Sequence, residues 1–125
     1  LYGIAGASDM RDIEKGIAED DKLSKLAFDI YEYRIRKYIG SYIAAMGGID
    51  AIVFTAGIGE NTPALRSRIC TNLSYLGIKL DDELNNKRGQ DLEISTPDSN
   101  VKVFVIPTDE ELVIARDTAK IVGKK

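Results

Sequence analysis

AIVFTAGIGENTP, residues 51–63, decides the architecture. Ala51 to Thr55 is short and rich in β-branched and aromatic residues, as strands are. It lacks polar alternation, so both faces are expected to be covered, as in a parallel sheet under helices. GIGEN follows as a turn. Thr62 and Pro63 then start a helix, with threonine as N-cap and proline at the first helical position. That helix should carry Leu65, Ile69 and Leu73 inward and end near Gly77.

The same strand-to-helix grammar recurs downstream. Lys102 to Ile106, KVFVI, reads as a second buried strand. Thr108 stands at an N-cap with Glu111 three residues on, the capping-box spacing. Leu112, Ala115, Ala119 and Val122 continue a helical stripe, and Gly123 with Lys124 and Lys125 finishes it. Between the two units, DDELNNKRGQ (81–90) reads as a surface turn or a frayed helical piece, and Gln90 to Ile94 as a short edge strand.

Upstream, Ser8 and Asp9 precede one or two helical turns in DIEKGIAED. Asp20 or Asp21 then caps a long helix running to about Met46. Leu23, Ala27, Ile30, Arg34, Tyr38, Tyr42 and Met46 recur along it at helical spacing, with Leu26, Ile35, Ile39 and Ile43 beside them. Gly47 and Gly48 stop it. The fold class is therefore α/β, with parallel strands flanked by helices and joined by right-handed crossovers. So few strands make a poor sheet alone, and LYGIAG starts inside an apolar, glycine-spaced stretch. Residues 1–125 are expected to be one portion of a longer protein.

Composition narrows the chemistry. The chain has 125 residues, 44% of them hydrophobic and 30% charged, with a net charge of −3. No basic face points to nucleic acid. No run approaches the roughly 20 apolar residues of a membrane span. The lone Cys70 excludes an internal disulfide and fits a reducing, cytoplasmic setting. With no histidine, the common zinc sets and the Ser-His-Asp or Cys-His groups cannot be assembled. No catalytic residue is assigned, and any metal must be a hard, oxygen-ligated ion.

In open α/β sheets, ligands bind at the carboxyl ends of strands. Those ends are GIGEN and PTDEE, both running into helix N-termini that favour anions. Gly57 and Gly59 let a backbone approach a ligand or adopt positive φ. Glu60 and Asn61 can bond a ribose, a phosphate or a magnesium-bound water. A tight strand-to-helix turn explains the same residues. The P-loop pattern needs a lysine that is absent here, and the dinucleotide fingerprint needs a third glycine where Thr62 sits. Glu110 could hold Mg²⁺, although an acid in a first helical turn also serves the dipole alone. Asp9 and Arg11 could meet a sugar and a base, although a helix cap and a surface arginine suffice locally. Tyr31, Tyr33, Tyr38 and Tyr42 read as core or interface residues.

Taken in order and spacing, GASDMRDIE, YRIRKYIGSYIAAMGGIDAIVFTAGIGEN, LRSRIC, YLGIKLD and VIPTDEELVIARDTAKIV resemble the C-terminal part of acetate kinases, over essentially the whole chain. The resemblance implies a partial ribonuclease-H-like domain of the actin-like ATPase type. It implies a kinase that transfers the γ-phosphoryl of ATP to acetate, reversibly, with Mg²⁺ or Mn²⁺. It implies that Asp9, Met10 and Arg11 border adenosine, that Gly57, Ile58, Gly59, Glu60 and Asn61 form a nucleotide loop, and that Glu110 is the magnesium-associated carboxylate. The acetate pocket and catalytic arginines are implied to lie upstream, and the family's homodimer to be formed through this region. Asp109 stands where the family pattern has asparagine. Two alternatives stay open: a propionate or butyrate kinase, and an assembly module without activity.

Overall fold

The computed structural model describes residues 1–88 and 90–123. Gly89, within the stretch read as a surface turn, and Lys124 and Lys125, read as finishing the last helix, lie outside them. The elements run α1 (Tyr2–Ala5), α2 (Met10–Ala18), α3 (Lys22–Met46), β1 (Ala51–Phe54), α4 (Ala56–Asn61), α5 (Pro63–Asn72), a 3₁₀ turn (Ser74–Leu76), α6 (Asp82–Asn85), β2 (Leu92–Glu93), β3 (Lys102–Val105) and α7 (Glu110–Val122).

The long helix forms where its capping residues place it. The Asp21 carboxylate accepts from the Ser24 amide at 2.7 Å. Gly47, at φ 76°, closes the other end in the left-handed region, a conformation that favours glycine. Its inward face differs from the expected stripe. Ser24, Ala27, Phe28 and Glu32 are buried, whereas Leu23, Ile30, Tyr38, Tyr42 and Met46 are exposed. The apolar arc is wider than the body it covers, so only the turns facing α1, α2 and α5 are enclosed. Buried Glu32 is matched there by Arg36 at 3.3 Å and by the Asn72 amide at 3.2 Å. Of the four tyrosines read as core or interface residues, Tyr31 is half-buried and the other three are exposed.

The sheet has the order β1-β3-β2. β1 and β3 are parallel, with Ala51 opposite Lys102 and Phe54 opposite Val105. β2 pairs antiparallel to β3, so the sheet is mixed rather than purely parallel. A second departure concerns coverage. Ile52 and Phe54 of β1 and Val103 and Val105 of β3 point into one core with Phe28, Leu65, Ile69 and Leu73. Val53, on the other face of β1, is half exposed. No residue of α7 is buried, and Ile114, Ile121 and Val122 stand in solvent. The covering layer expected on that face is absent among the described residues. Each fully enclosed side chain such as Ile69 or Ile13 contributes about 1.5–3 kcal/mol, so one well-packed face holds the chain together. Among the described residues, no helix is long and apolar enough to cross a membrane.

Candidate functional site

The segment after β1 is a helix, not the loop that its glycines suggested. Ala56 takes φ 59°, and α4 begins there. Neither Gly57 nor Gly59 has positive φ, so the left-handed turn falls on an alanine, at a cost of about 1 kcal/mol. Gly59 is needed for a different reason. A Cβ there would sit 3.3 Å from the Phe54 carbonyl carbon, so α4 folds back onto the strand it follows. A Cβ at Gly57 would meet nothing within 4 Å. Thr62 joins α4 to α5 without using its side chain as a cap.

The rest of α4 is held by one of its own side chains and one from α5. Asn61 turns its amide back and donates to the Gly57 carbonyl at 2.9 Å. Arg66, fully buried on α5, donates through Nη1 to the carbonyls of Gly59 and Glu60, both at 2.8 Å. Its Nε donates to Asn85 Oδ1 at 2.9 Å, and its Nη2 to the Asn85 carbonyl. Sequence reasoning passed over Arg66 and Asn85. A signal for Arg66 was present: it adjoins Leu65 and precedes Ile69 by three residues, which puts it on the inward face of the helix.

At the second strand end the cap is displaced by one residue. Asp109, not Thr108, caps α7, accepting from the Leu112 amide at 2.9 Å. Thr108 is engaged otherwise: its amide and hydroxyl both donate to Glu60 Oε1. The expected capping box with Glu111 does not form, and Glu110 and Glu111 occupy the first turn. The anion preference expected at this helix end is countered by three adjacent carboxylates.

Asp9 caps α2 through the Arg11 amide at 2.8 Å and also accepts from the Arg11 guanidinium at 2.6 Å. These bonds pull its carboxyl from the ordinary 3.8 to about 2, and the same contact raises Arg11. Met10 faces the core and is only 5% exposed.

These pieces converge. Asp9, Met10, Arg11, Gly57, Ile58 and Asn61 line one open cavity of about 570 Å³, together with exposed Arg88. Gly57 also borders a second concavity of about 450 Å³, whose other walls are Glu60, Thr108 and the acids Asp109, Glu110 and Glu111. Gly59 lines neither and faces the apolar space beneath α4. Among the described residues, no three acids, histidines or cysteines are grouped so as to hold a metal unaided. The carboxylates on the second concavity are hard oxygen donors of the kind Mg²⁺ takes, one or two at a time, with phosphate oxygens and water completing its shell. Burial drives the Cys70 thiol up to about 12, so it offers no nucleophile. The described arrangement can bind and orient a polar ligand.

The sequence profile of the Acetokinase family matches residues 1–116. An acetate kinase of Fervidobacterium nodosum is 64% identical over 119 residues, covering 94% of this chain and 29% of that protein. The solved acetate kinase of Porphyromonas gingivalis superposes with a TM-score of 0.84 at 46% identity, over 97% of this chain and 31% of the other. A propionate kinase from Francisella tularensis superposes with a TM-score of 0.80 at 38% identity, over 91% of this chain and 29% of the other. The chain thus spans about a third or less of the length of these relatives. It belongs to the acetokinase family.

Proposed function

We propose that this chain is the nucleotide-handling portion of an acetate kinase, which transfers the γ-phosphoryl of ATP to acetate and back. The observation that carries the reading is Gly57. Two segments far apart in sequence, Asp9–Arg11 and Glu110 with its neighbours, meet α4 on either side of that one glycine. In this reading Asp9, Met10 and Arg11 border the adenosine. Gly57, Ile58 and Asn61 present backbone and amide groups toward the phosphates, and Gly59 lets α4 lie close to the strand end. Glu60 ties α4 to the turn after β3 through Thr108. Glu110 accepts the metal side.

Phosphoryl transfer depends on positioning and on neutralising charge more than on covalent chemistry, which suits a site without a nucleophile. Mg²⁺ (or Mn²⁺), when bound, offsets phosphate charge. Glu110 would hold it, with Asp109 and Glu111 adding negative potential. The ribonuclease-H-like architecture, the cytoplasmic setting and a homodimer belong to the same proposal. The exposed apolar residues of α3 and α7 support the presence of further protein against them.

Two measurements test this. Calorimetry of the chain with Mg-ADP should give saturable heat, and its absence would count against a preorganised nucleotide site. A phosphoryl-transfer assay with ATP and acetate on the chain alone should give nothing above blank, because the acetate pocket is expected upstream. Likeness to a propionate kinase favours a second reading, with propionate as acceptor. Kinetics of the full-length protein on both acids separate the two.

A further inference from the structure

We propose that Arg66 is a positioning residue whose buried guanidinium fixes the geometry of α4. Its consequence for ligand binding rests on the nucleotide reading above. A six-residue helix is not stable by itself, because nucleation is costly and few bonds repay it. Its last carbonyls have no partners within the helix. Arg66 supplies partners to two of them, Gly59 and Glu60, from a single nitrogen at 2.8 Å. Its positive charge lies at the negative end of the α4 dipole.

The other side of the guanidinium anchors the assembly. Nε and Nη2 donate to the side chain and backbone of Asn85 on α6. Asn85 in turn donates to the Pro63 carbonyl at 3.1 Å, at the start of α5. One planar group therefore ties α4, α5 and α6 together. Among the described residues it does so without a carboxylate, since every bond goes to a neutral oxygen. A buried charge is tolerated only when such bonds replace its water. The fork geometry matters: a lysine ammonium is a compact point charge and cannot span both sets of acceptors. The clamp acts on the last turn of α4, whereas Gly57 and Ile58 in the first turn face the cavity.

The test compares the unaltered chain with Arg66→Met and Arg66→Lys, by site-resolved amide exchange and by Mg-ADP titration. We expect amides 59–62 to exchange roughly tenfold faster in Arg66→Met, with Val103 and Val105 unchanged. Mg-ADP affinity should fall by about tenfold, as preorganisation is lost. Arg66→Lys should show the same local loosening at smaller amplitude, and it decides the matter if Arg66→Met does not fold. Exchange at 59–62 as in the unaltered chain, or loosening spread evenly over β1 and β3, overturns the proposal. If the unaltered chain binds no Mg-ADP, the nucleotide reading fails, while the exchange contrast still decides the clamp.

Discussion

Glu60 Oε1 accepts two hydrogen bonds from Thr108, from the amide at 2.9 Å and the hydroxyl at 3.1 Å, across 48 positions of sequence. The turn after β1 and the turn after β3 are thereby one unit. The contact is exposed, so its worth is limited to about 1 kcal/mol. Thr108→Val should remove the hydroxyl bond and leave the amide one. Glu60→Ala should remove both and speed exchange at Thr108 and Leu112, with β3 amides unmoved. If the two variants exchange alike, the hydroxyl carries the contact.

Gly57 and Gly59 should separate binding from packing. Alanine at 57 meets open space and favours helix, so Gly57→Ala should leave stability unchanged or raise it by up to about 1 kcal/mol. On the proposed nucleotide reading it should still weaken Mg-ADP, because the methyl would stand between the phosphates and the α4 backbone. Gly59→Ala presses on the Phe54 carbonyl carbon and should destabilise by about 1–3 kcal/mol. Urea unfolding of both variants beside calorimetry checks the pair.

The Asp9–Arg11 contact sets a pH window. The folded carboxyl lies at about 2, below its ordinary 3.8. Its stabilisation is therefore complete above 3.8 and is lost as pH falls through about 2. Carboxyl NMR should show Asp9 titrating near 2, and higher in Arg11→Ala but still below 3.8, because the amide of residue 11 keeps its bond. An unperturbed Asp9 in the parent chain would rule the pairing out.

Cys70 should be silent toward thiol reagents at pH 8 in the native chain and react fully in denaturant. Burial holds its thiol near 12, and the reactive form is the thiolate. Stoichiometric labelling under native conditions would mean that α5 opens readily.

The strands, α3 and α5 were legible because period and caps agree there: Asp21, Gly47 and Pro63 each mark a boundary that the structure keeps. The form of α4 was not legible. Glycines suggested a loop, yet side-chain bonds from Arg66, six and seven residues on, support a helix that backbone propensity alone would not. The capping box failed for a related reason, because Thr108 has a distant partner in Glu60. The inward stripe of α3 was misjudged since a wide apolar arc does not say which part this chain covers. Asp9, Gly57 and Glu110 could be named from sequence, but the meeting of Gly57 with Glu110 depends on the parallel pairing of β1 with β3, which brings their carboxyl ends side by side.

The bonding around Arg66 also restricts what may replace it. An ion pair can be inverted, with acid and base exchanging places, and remain a pair. A cation balanced by backbone carbonyls has no such mirror image, because the carbonyls of Gly59, Glu60 and Asn85 cannot change sign. No second substitution on those acceptors can rescue an acid at position 66. The shape of α4 therefore hangs on one side chain, and among its acceptors only the Asn85 side chain is open to substitution.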